Sequence, residues 1–121
     1  MSVYKKLAKA RVELQKVEMR KSGANTFTNY RYFELGDFMP HINRIFDELG
    51  LCGYVSFHKE EAILQIVDVD APETNSIVIT SPMADATLKG AHPIQNLGAA
   101  ETYQRRYLWI TALEKIGRAH V

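Results

Sequence analysis

LCGYVSFHKEEAILQIVDVDAPETNSIVIT, residues 51–80, holds three runs that suit a pleated, half-buried surface. From Leu51 to His58 the residues alternate, with Val55 and Phe57 on one side and Tyr54, Ser56 and His58 on the other, the period of two that a strand imposes. Ala62 to Val69 is a continuous apolar run, and Ser76 to Thr80 is rich in β-branched residues. Lys59-Glu60-Glu61 and the stretch from Asp70 to Asn75 supply turns between them, so an antiparallel meander is the simplest connection. Cys52, between Leu51 and Gly53, reads as an inert core cysteine of the first strand rather than a nucleophile.

Working outward, the apolar residues Val3, Leu7, Ala10, Leu14 and Val17 step by four and three, which predicts an amphipathic helix from Val3 to about Arg20. Lys6, Lys9, Glu13, Lys16 and Arg20 repeat the spacing on another face, so the basic residues form a line, and Gly23 is expected to close the helix. Residues 25–33 alternate polar and aromatic side chains and read as an extended segment or loop. Asp37 is expected to cap a second helix with Pro40 in its first turn, burying Phe38, Ile42, Ile45, Phe46 and Leu49 before Gly50 stops it. After Pro82, a loop with Gly90 and Pro93 leads to a last helix from about Gln95, with Ala100, Tyr103, Tyr107 and Ile110 on one face, which makes the two tyrosines core residues. The expected fold is α+β, an antiparallel three-stranded β-meander packed with helices in the order α-α-β-β-β-α.

A chain of 121 residues, 46% of them hydrophobic, holds one core and too little for two. No apolar run reaches the ~20 residues that span a bilayer and no signal peptide is evident, so no membrane role and a cytoplasmic location are expected. The single cysteine excludes a disulfide framework and a cysteine-based zinc site. The net charge is only +1, but it is unevenly spread: +6 over residues 1–31, −8 over residues 32–104 and +3 over residues 105–121. Basic ends around an acidic middle can present a positive stripe to a phosphate backbone; solvated helix faces account for the same charges equally well. Asp68 and Asp70, two apart on a strand, with Glu73 beyond, open a rival reading as magnesium ligands of a nuclease, against which stand the turn composition around them and the lack of a lysine close in sequence. His41, His58 and His92 have no ligand spacing, and no phosphate-cradling glycine loop is present, so no cofactor, no metal and no ATP-driven step are expected.

The most informative stretch is Gln95-Asn96-Leu97-Gly98-Ala99-Ala100-Glu101-Thr102-Tyr103-Gln104-Arg105-Arg106-Tyr107. It resembles the signature of the ERF (essential recombination function) family of phage single-strand annealing proteins, in which Gln, Gly, a small residue, Thr-Tyr and Arg-Tyr recur at these spacings. Asn29-Tyr30-Arg31-Tyr32-Phe33 with Asp37 also resembles that family's N-terminal pattern. The resemblance implies a non-enzymatic protein that binds single-stranded DNA and anneals it without ATP in homologous recombination, assembling as a ring or filament, with a host single-strand-binding protein as a further partner.

The resemblance makes Arg105 and Arg106 the leading DNA contacts, with Gln95, Thr102 and Tyr103 of the same stretch, then Arg31 and Tyr30, then Lys6 and Lys9 for electrostatic capture. Arginine suits phosphate because its planar fork makes paired hydrogen bonds to the oxygens, and adjacent helical arginines diverge by about 100°. Gly98, Ala99 and Ala100 would let the start of the helix approach another backbone closely. Tyr30 and Tyr32 are the better stacking candidates, and Gln95 is open between a DNA contact and a helix-start hydrogen-bonder. A structure-specific nuclease and a small protein-interaction module remain the alternatives. The resemblance stops after Glu114; Lys115 to Val121 matches a translation of the start of a common sequencing adapter, so residues 1–114 are expected to form the domain and 115–121 a non-native tail on a C-terminally truncated chain.

Overall fold

Leu51–Phe57, Glu61–Asp68 and Ile77–Pro82 pair antiparallel as β3, β4 and β5, with β4 in the centre, in a computed structural model that describes residues 1–25, 30–83 and 92–114. The register sets Tyr54 opposite Gln65 and Gln65 opposite Val78, so the meander read from residues 51–80 forms as expected. The period of two sends Ala62, Leu64, Ile66 and Asp68 of β4 to one face, all buried, and Ile63, Gln65 and Val67 to the other. Cys52 shares that outer face with Tyr54 and is exposed, not in the core, because the pleat that buries Leu51 turns its neighbour outward.

Three helices cover the inner face: α1 (Val3–Gln15), α2 (Leu35–Leu49) and α3 (Pro93–Leu113). A short hairpin lies between α1 and α2, its strands Gly23–Asn25 (β1) and Tyr30–Tyr32 (β2) paired antiparallel. The fold is therefore α+β with the expected α-α-β-β-β-α order, plus a two-stranded ribbon where an extended segment or loop was read. The loop after Met83, residues 26–29 and residues 115–121, with the tail assignment, lie outside the described residues.

Helix α1 buries Val3, Leu7, Ala10 and Leu14 as its periodicity demands, but it ends at Gln15 rather than near Arg20. Gly23 is therefore not its cap; it belongs to β1, opposite Tyr32. Helix α2 starts at Leu35, three residues earlier than a cap at Asp37 would allow. Asp37 sits at the third helical position, where its carboxylate accepts from the backbone N–H of Glu34 at 2.8 Å and from the N–H and hydroxyl of Ser22 at 3.0 and 2.7 Å. That carboxylate thus fastens the strand leading into β1 to the helix start. Pro40 falls beyond the first turn, and its missing N–H leaves one intrahelical hydrogen bond unmade. Gly50 closes α2 in the left-handed conformation at φ 76°, as expected.

The core is continuous across the layers: Phe38, Ile42 and Phe46 of α2, Leu7 and Leu14 of α1, Leu64 and Ile66 of β4, and Leu108, Trp109 and Leu113 of α3. Trp109 meets Phe46 edge-on at 5.7 Å between ring centroids. Its indole lies over Gly53 of β3, where a Cβ would overlap the ring.

Asp68 falls on the core face by strand alternation and is only 4% exposed. An unpaired carboxylate there would be costly. Lys6, on the buried stripe of α1, provides the partner: its Nζ donates to Asp68 Oδ1 at 2.6 Å and to Asp70 Oδ2 at 2.7 Å. Lys6 is thus not on the exposed basic line that the sequence suggested; it is 7% exposed and held inside by two carboxylates. The hydrogen bond from Lys6 holds Asp68 below the usual carboxylate range against the opposing effect of burial, and the hydrogen bonds from Lys6 to Asp68 and Asp70 raise the ammonium above its ordinary value.

Candidate nucleic-acid interface

Helix α3 divides its residues between two surfaces. Ala100, Gln104, Leu108 and Ala112, spaced by four, form a buried line, joined by Trp109 and Leu113. Gln104 is a polar member of that line, and its Oε1 accepts from the Ser81 hydroxyl of β5 at 2.9 Å. Tyr103 and Tyr107, expected in the core with Ala100, stand instead on the surface at 44% and 47% exposure, because the buried line runs one residue further along the helix through Gln104 and Leu108. Ile110 does pack against the core.

The two tyrosine rings touch each other in a tilted arrangement at 4.6 Å between centroids. Arg106, between them in sequence, carries its guanidinium 5.4 Å from the Tyr103 centroid and 5.7 Å from that of Tyr107. Its closest ring is Tyr32 of β2, at 4.4 Å. Three tyrosines thus surround one arginine, and each such contact at an exposed site contributes about 0.5–1 kcal/mol. The hairpin makes this possible through Gly23: a Cβ there would overlap the Tyr32 ring, so the ring lies against the glycine of the paired strand and offers itself to Arg106.

Arg105, itself exposed, diverges as the helical geometry requires and lies over the half-buried Phe57 of β3 at 5.4 Å. The result is two neighbouring clusters on one helix, Arg105 on Phe57 and Arg106 among the three tyrosines, each setting a flat cation against flat rings. Such a surface offers charge to phosphates and π-faces to unpaired bases.

Of the other sequence candidates, Thr102 is exposed one turn before Arg106, on the same side of α3. Gln95 is exposed at the third helical position, where its Oε1 accepts from the His92 N–H at 2.8 Å, the helix-start role. Arg31 is exposed but, as the strand neighbour of Tyr32, points to the opposite side of the hairpin and is not brought to Arg106. Tyr30 pairs with Asn25 in the hairpin, and its side chain is outside the described residues. Lys9 is exposed on α1, on a different element from the arginines; Lys6 is inside. Gly98 has no neighbour within 4 Å and so serves no close approach among the described residues. Phe57 and Gly23 are members that sequence reasoning missed, and only the strand registers expose them.

Asp68 and Asp70 converge on an ammonium, and no group of three His, Cys, Asp or Glu side chains placed to hold a metal occurs among the described residues. No helix among the described residues is long and apolar enough to cross a membrane.

The chain is an α+β domain with a cation–aromatic surface on its last helix. Residues 3–114 match the ERF superfamily, and the chain belongs to that family. At family level the membership supports a phage recombination or annealing-type role, in a family of annealing proteins rather than classical enzymes. Neither the curated proteins nor the solved structures contain a match to it.

Proposed function

We propose that this protein binds single-stranded DNA without sequence preference and anneals complementary strands, without ATP, in phage homologous recombination. The observation that carries the reading is the Arg106 guanidinium held among Tyr32, Tyr103 and Tyr107, with Arg105 beside it, on the helix that bears the family signature. Phosphates meet the guanidinium edges while bases stack on ring faces, a mode that tolerates any base because every base has a π-face. Annealing asks for grip and release of a strand, which needs neither a nucleophile nor a bound metal, so we assign no catalytic residue.

Assembly into a ring or filament is part of the proposal. The outer sheet face carries Cys52, Tyr54, Ser56, Ile63, Gln65 and Val78 with no charge among them, and Tyr54 and Val78 are about half exposed. Such a face suits burial against another copy. A host single-strand-binding protein is the further partner we propose, and the bacterial cytoplasm the setting. A nuclease reading finds no support in Asp68 and Asp70, each of which gives one carboxylate oxygen to Lys6.

The test is annealing of complementary oligonucleotides followed by energy transfer, without ATP or magnesium. Salt-sensitive binding with annealing supports the reading; binding that degrades the strands once magnesium is added refutes it.

A further inference from the structure

Between β5 and α3 lies a groove of about 310 Å³, lined by Ile79, Ser81, Tyr103, Gln104, Tyr107 and Thr111 among others. Its size is at the low end for small-molecule sites. No charged side chain lines it, so it offers nothing to a bare phosphate. Its walls are two half-exposed tyrosines and aliphatic carbons, and its polar groups are neutral, among them Thr80, Ser81 and Thr111 and the amide of Gln104. Gln104 is itself 3% exposed and fixed by Ser81, so this polar edge is preorganised. The same two tyrosines that wall the groove lie 5.4 and 5.7 Å from the Arg106 guanidinium.

We infer that this groove takes a single unstacked nucleobase of the bound strand, with that nucleotide's phosphate on the neighbouring arginine. The inference rests on the single-stranded DNA reading and adds to it a defined base subsite. A flat, uncharged heterocycle with hydrogen-bonding edges fits aromatic walls and neutral polar groups, and a cation at the rim fits the charge attached to it. One base per subunit is withdrawn from pairing, and the bases between successive subunits stay free to anneal.

The experiment compares, at one fixed salt concentration, the affinity of the full chain for an oligothymidylate and for an oligomer of equal length in which every base is replaced by an abasic sugar. The wild type is expected to prefer the base-bearing oligomer at least tenfold. Thr111→Leu, at an exposed position of the groove, removes one of its hydroxyls and narrows it with a bulkier apolar side chain, and is expected to bring that ratio most of the way to one. Equal affinity of the wild type for both oligomers overturns the base subsite while leaving salt-dependent DNA binding in place. Full preference retained in Thr111→Leu also overturns it, because the bases would then be stacking elsewhere. Failure to bind either oligomer, there and when the comparison is repeated at low salt, overturns both this inference and the reading it rests on.

Discussion

Lys6 and Asp68 form a buried ion pair in which each side chain depends on the other. The spacing that placed Lys6 with Lys9 and Lys16 describes a helix in isolation, whereas the partner that decides its position is 62 residues away. Removing one member of such a buried pair strands the other, so Lys6→Met should destabilise the fold more than Lys6→Met/Asp68→Asn, as read by urea denaturation. Equal losses would contradict the account. The pair also sets a pH window. Asp68, and Asp37 with it, titrate below the usual carboxylate range, so the stability they add is present above about pH 4 and lost as pH falls through their lowered values. For Asp37, burial works against the shift, and the donors on Ser22 and Glu34 outweigh it. Lys6 titrates above its ordinary value, so its contribution holds below about pH 10 and disappears as pH rises through the raised value. Denaturation midpoints should therefore be flat between these limits and fall at both ends, and Lys6→Met should flatten the alkaline fall.

Gly23 works at the same scale. With a Cβ at this position the Tyr32 ring must leave its seat and Arg106 loses its nearest aromatic partner. Gly23→Ala is expected to weaken single-stranded DNA binding roughly two- to fivefold, the worth of one exposed cation–π contact, with the circular dichroism spectrum unchanged. Unaltered affinity would show that the ring does not position the arginine.

At the scale of elements, two glycines make opposite predictions. Gly53 on β3 lies under Trp109 and near Phe46, so Gly53→Ala should cost about 1–3 kcal/mol of stability as the indole is displaced. Gly98 lies inside α3 with nothing near it, so Gly98→Ala should add about 0.5–1 kcal/mol through helix propensity. Thermal denaturation of the two variants checks both signs. The elements themselves were legible where a periodic apolar pattern met a strong stop: α2 with Gly50, the steps of α1, and the three strands with their turns. They were not legible where the deciding contact is distant. The register of α3 is hidden in the sequence because Gln104 breaks its buried line with a polar side chain, and the Ser81 hydroxyl that makes this tolerable lies on another element. Tyr103 and Tyr107 then looked like the apolar face they only border. Cys52 was misplaced although the alternation with Tyr54 already pointed it outward, and the short β1–β2 ribbon has too few residues to show a period. Of the candidate interface, Arg105 and Arg106 stood in the sequence as a pair, but their aromatic partners Phe57 and Tyr32 come from two different strands.

Across the whole molecule, the sheet separates two kinds of surface. Its inner face is closed by three helices, and the two arginine–aromatic clusters lie on the last of them; its outer face is uncharged through the middle of all three strands. The acidic middle of the chain includes Asp68 and Asp70, of whose two negative charges Lys6 balances one, on an element other than the one that carries Arg105 and Arg106. The most direct measurement is fluorescence anisotropy of a labelled oligothymidylate over a series of salt concentrations, comparing the wild type with Arg105→Ala/Arg106→Ala. Salt-dependent binding is expected, with affinity at least tenfold lower in the double variant and the log–log salt slope shallower by about one to two. A folded double variant that binds with the affinity and salt slope of the wild type would contradict the assignment of the interface to α3.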